Sequence, residues 1–125
     1  MKMNSISGVT CYVKDVKKTA DFYETLGFRI GKQGPDHVTC YVNWFWVDCI
    51  AIDAADGERK QEAQAPNKGS GVYLYIKVDN IDEFYEDVVT HAMKPLSEPE
   101  KRPSGNREFV LRDPDGYKLV FFEKK

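Results

Sequence analysis

The stretch Arg112-Asp113-Pro114-Asp115-Gly116-Tyr117-Lys118-Leu119-Val120-Phe121-Phe122-Glu123 decides the fold. Pro114 presets φ for the first corner of a type I turn, Asp115 tolerates the second, and Gly116 takes the positive φ that a bulged hairpin needs next. With Asp113 opposite Tyr117, Leu111 faces Leu119 and Phe109 faces Phe121, so these apolar side chains share one side of the sheet. The reverse side carries Glu108, Val110, Arg112, Lys118, Val120 and Phe122. One face is core, and the mixed face reads as a lining.

Working back from the hairpin, Val72, Leu74, Ile76 and Val78 alternate with Tyr73, Tyr75 and Lys77, a strand whose aliphatic side is expected in the core. Asn80 with Glu83 makes a capping-box-like start, and Ile81, Phe84, Val88 and Ala92 mark one face of a helix that Lys94-Pro95 ends. A short strand around Leu96 to Glu98 and a loop rich in Pro and Gly lead to the hairpin. The order is β-α-β-β-β.

The N-terminal half repeats that order. Ile6 to Val13 alternates as a strand, and Asp15 N-caps a helix along Val16, Ala20, Tyr23 and Leu26 that Gly27 stops. Phe28 to Lys32 forms the next strand, and Gly34-Pro35-Asp36 turns it. Val38, Cys40 and Val42 alternate with Thr39, Tyr41 and Asn43, and Trp46 to Asp53 forms a fourth strand. The polar stretch Ala54 to Gly69 reads as a mobile connection holding a frayed helical turn. The expected organisation is α+β in a single domain of two tandem βαβββ modules, residues 5–53 and 71–123, joined by a linker over 54–70. Curved mixed sheets around a cleft, with helices outside, satisfy such a pattern.

Composition narrows the function. With 125 residues and no long apolar run, the chain suits one cored domain without a membrane span. Met1-Lys2-Met3-Asn4-Ser5 leads into a strand with no apolar leader, which argues for a cytoplasmic location. Cys11, Cys40 and Cys49 show no CxxC spacing and read as reduced core residues. A net charge of −2, with Lys and Arg scattered, gives no pull toward nucleic acid or anionic membrane.

Phe22-Tyr23-Glu24-Thr25-Leu26-Gly27-Phe28, Val78-Asp79-Asn80 and Asp113-Pro114-Asp115-Gly116-Tyr117-Lys118 together resemble the vicinal oxygen chelate superfamily of glyoxalase I, bleomycin resistance proteins and extradiol dioxygenases. The style is nearest the metal-free, bleomycin-resistance-like members. In metal-dependent members the resemblance implies four His or Glu ligands on cleft-facing strand positions. Those positions fall here on Gly8, Tyr73 and Val120, with the fourth left open between Asp48 and Ile52. Glycine and valine side chains supply no ligand, so neither a metal nor another cofactor is expected.

By strand parity the cleft is lined by Thr10, Tyr12, Thr39, Tyr41, Tyr73, Tyr75, Glu108, Val110, Val120 and Phe122, with Trp44 and Trp46 near a turn. Aromatic walls with a few polar tips suit a flat or amphipathic organic ligand, although Tyr and Trp on sheets serve equally in packing and dimer contacts. His37 reads as a solvated turn residue, His91 as a partner of a helix dipole and Glu108 as a solvated charge. The expected function is metal-independent binding or sequestration of a small aromatic or amphipathic compound by a homodimer. The alternatives are a superfamily lyase, isomerase or dioxygenase, with Tyr73 and Glu108 doing acid-base work, and a structural or regulatory dimer.

Overall fold

Asp15 starts the first helix, α1 (Val16–Leu26), because its side chain accepts the Lys18 N–H at 3.0 Å, and Gly27 ends it at φ 107°. This geometry comes from a computed structural model that describes residues 1–124. Two units are distinguished, the first ending at Pro66 and the second beginning at Asn67.

In the first unit, β1 (Gly8–Val13), β2 (Arg29–Gln33), β3 (His37–Val42) and β4 (Phe45–Ala51) form one mixed sheet in the order β1-β4-β3-β2. β1 runs parallel to β4, and the other neighbours are antiparallel. The crossover needed to bring β1 and β4 parallel passes through α1, which packs on β2, β3 and β4. Val16, Ala20 and Tyr23 bury one helix face against Val13, Val38, Cys40, Val47 and Cys49 on the sheet. Tyr23 meets Phe28 edge-on at 4.9 Å between ring centroids. The Cys49 thiol hydrogen-bonds Cys40 and lowers its pKa, while burial and the charge of Asp48 act the other way. Neither sulfur has an exposed path, so access rather than acidity sets their reactivity. The connection holds a single 3₁₀ turn at Ile52–Ala54 and a short helix, α2 (Arg59–Ala63).

In the second unit, β5 (Tyr73–Lys77), β6 (Glu100–Lys101), β7 (Arg107–Arg112) and β8 (Lys118–Glu123) form a sheet in the order β5-β8-β7-β6. The closing hairpin has the register its turn dictates, with Leu111 opposite Leu119 and Phe109 opposite Phe121. Asp113 fixes that turn, since its Oδ1 accepts both the Asp115 and the Tyr117 N–H at 2.9 Å. The helix α3 (Ile81–Thr90) covers β7 and β8, with Phe84 against Phe121 at 4.6 Å between ring centroids. Both modules thus have the βαβββ order, and both sheets remain open.

Several local expectations are corrected. The short strand lies at Glu100–Lys101, paired with Glu108 and Arg107, rather than Leu96 to Glu98; in that stretch, among the described residues, Leu96 alone bonds β7, donating its N–H to the Val110 carbonyl at 2.9 Å, and Pro99, which has no N–H, interrupts the ladder between them. Ala92 lies past the end of α3 at φ 63° and contributes nothing to its apolar face. Leu74, Ile76 and Val78 are only half-buried and Val72 is exposed, because β5 is an edge strand. The α3 start has one contact invisible in the local sequence: Asn80 accepts the Glu83 N–H, while the Glu123 carboxylate, from the far end of β8, accepts the Ile81 N–H at 2.9 Å.

Candidate functional site

The face of the first sheet turned away from α1 is built in cross-strand rows. Gly8, Trp46 and Tyr41 form one row, Thr10, Asp48 and Thr39 the next, and Tyr12, Ile50 and His37 the third. Two glycines explain how the large rings fit. A side chain at Gly8 would overlap the Trp46 indole, and a Cβ at Gly31 would come within 2.6 Å of the Tyr41 ring. Both rings therefore lie flat across neighbouring strands where a β-carbon is missing. The Arg29 guanidinium stacks over Tyr41, 4.6 Å from its centroid.

In the middle row, the Thr39 hydroxyl donates to Asp48 Oδ1 at 3.2 Å. His37 Nε2 lies 3.9 Å from the same oxygen and 3.5 Å from the Thr39 hydroxyl. His37 is thus a strand residue beside a carboxylate, and the expectation of a solvated turn histidine is corrected. The sequence carries only a weak signal for this cluster, a turn at Asn43-Trp44 without the usual Gly. Asn43, at φ 53°, makes a two-residue turn with Trp44, which pairs Val42 with Phe45 and, by counting back, Thr39 with Asp48.

The mixed face of the second sheet carries Tyr73 beside Lys118 and Arg112, Tyr75 beside Val120 and Val110, and Lys77 beside Phe122 and Glu108. The Lys118 ammonium sits 4.5 Å from the Tyr73 ring centroid, and Tyr75 meets Phe122 edge-on at 5.9 Å. Glu108 is less solvated than expected, with its side chain 16% exposed and 4.0 Å from Arg102. Val120 has no exposed surface, so it is not an open lining residue; it lies on the central strand beside the larger Tyr75.

Each residue expected in a lining falls on one of these two faces except Trp44, which sits in the β3-β4 turn at 72% exposure. Within the first face, Thr10, Tyr12, Thr39, Tyr41 and Trp46 come together. Tyr73 and Glu108 do not form a pair. β8 separates their strands, and their partners Lys118 and Phe122 are four residues apart, so the backbone positions are on the order of 16 Å apart.

The register also places the open fourth-strand position. Tyr75, three residues before Val78, pairs with Val120; Thr10, three before Val13, pairs with Asp48. Asp48 is therefore the counterpart of Val120 in the first module. The donors do not fit a divalent metal: Gly8 and Val120 offer none, and the indole of Trp46 fills the space beside Gly8. Among the described residues, no three His, Cys, Asp or Glu side chains come together in a ligating group.

Comparison with known proteins places this geometry in a wider group. The family model described as Glyoxalase/Bleomycin resistance protein/Dioxygenase superfamily matches residues 5–121. Among solved structures, a hypothetical protein from S. aureus is 21% identical with a TM-score of 0.79, over 98% of this chain and 96% of that one. A glyoxalase/bleomycin resistance protein/dioxygenase family enzyme from Burkholderia phytofirmans superposes with a TM-score of 0.80 at 16% identity, over 94% and 96% of the two chains. A lactoylglutathione lyase from Agrobacterium tumefaciens does so with a TM-score of 0.74 at 16% identity, over 98% and 96%. At such identities the likeness shows the fold. No curated protein matches the chain.

Proposed function

This chain belongs to the glyoxalase/bleomycin resistance protein/dioxygenase superfamily, and from that membership we propose that it binds or sequesters a small aromatic or amphipathic compound without a metal, as a homodimer. The observation that carries the proposal is the Trp46 indole lying over Gly8. A stacking surface stands where a metal-using relative would place a ligand. Tyr41 beside Gly31, and Tyr73 and Tyr75 at 52% and 58% exposure, extend the aromatic character to both sheets. Rings held flat or half-exposed offer contact area at little conformational cost to a flat partner.

Trp44 and Trp46 are the two tryptophans of the chain. Titration of a Trp44→Phe variant with aromatic compounds is expected to change the emission of Trp46 saturably. No response across a panel of cationic, neutral and anionic aromatics would refute the reading. Metal analysis of protein purified without an affinity tag is the second arm. Stoichiometric Ni, Zn, Mn or Fe, lost on chelation together with an activity, would overturn metal independence. An enzymatic reading is favoured by one observation, the Thr39–Asp48–His37 cluster, which places an imidazole and a carboxylate on the same face as the rings. Turnover of a 2-oxoaldehyde thiohemiacetal or a catechol, abolished by His37→Gln, is what that reading requires.

A further inference from the structure

We draw no further inference here: the strongest candidate, the buried thiols of Cys11, Cys49 and Cys40 on the adjacent strands β1, β4 and β3 of the first sheet, forms no ligating group among the described residues and is set apart from ordinary core packing only by the lowered pKa of Cys40.

Discussion

Replacing Asp113 by Ala removes one oxygen that terminates two backbone donors. Asp113 is 5% exposed, and its Oδ1 accepts the N–H groups of Asp115 and Tyr117, each at 2.9 Å. A hydrogen bond to a charged acceptor contributes about 1.5–3 kcal/mol, and water can reach the half-buried Asp115 and Tyr117 in the variant, so the low end applies to each. The expected loss is about 3 kcal/mol. For a chain of 125 residues this corresponds to a fall in Tm of roughly 12 °C, at about 4 °C per kcal/mol. Asp113→Asn keeps an oxygen acceptor in place and is expected to lose about 1 kcal/mol. The assay is thermal and urea unfolding followed by far-UV circular dichroism. Tryptophan fluorescence is the wrong probe, because Trp44 and Trp46 both lie in the first unit and the turn lies in the second. If the units unfold in separate transitions, only that of the second should move. An Ala variant within 0.5 kcal/mol of the native chain, or an Asn variant as damaged as Ala, would refute the bond-by-bond reasoning.

The remaining predictions concern other contacts. Thr19 has no exposed surface, and its hydroxyl finds no hydrogen-bond partner among the described residues, so Thr19→Val, of the same shape, is expected to stabilise the chain by about 1 kcal/mol in urea unfolding. Glu123→Ala removes the carboxylate at the α3 N-terminus and should cost about 1–2 kcal/mol, with Glu123→Gln costing less because an oxygen acceptor remains. Gly8→Ala forces the Trp46 ring off its strand, with a loss of about 1–3 kcal/mol and a shift in Trp46 emission measured in a Trp44→Phe background. The buried thiols of Cys11, Cys40 and Cys49 should react with a disulfide reagent only as fast as the unit opens, and at once in denaturant.

The parts of this fold that depend on neighbours in sequence were legible. Pro114, Asp115 and Gly116 specify a turn, and a turn specifies register, so Phe109–Phe121 and Leu111–Leu119 followed without a coordinate. The helix starts at Asp15 and Asn80 were legible for the same reason, because each cap bonds a donor three residues on. Glu123 was not, since the N–H it accepts belongs to a residue 42 positions away. The superfamily match over residues 5–121 agrees with the resemblance drawn from three short segments. The Asp48 cluster stayed hidden for a subtler reason. Asn43-Trp44 lacks the usual Gly of a two-residue hairpin turn, so the β3-β4 register stayed open and His37 had no assigned face. The space over Gly8 was invisible because a glycine in a strand does not name the group that approaches it.

The Gly8–Trp46 contact also orders the mutational routes open to this chain. A carboxylate or imidazole introduced at position 8 meets the indole before it can reach a metal, so that change alone brings strain without a ligand. A smaller residue at position 46 must come first, and it sacrifices a stacking surface before any metal affinity can compensate. Val120, fully buried, imposes a second such step, because a carboxylate there begins life desolvated and unpaired. Single substitutions therefore lead downhill from either direction, and the metal-free and metal-using forms of these two sheets are separated by a fitness valley set by an indole in the first sheet and a valine in the second.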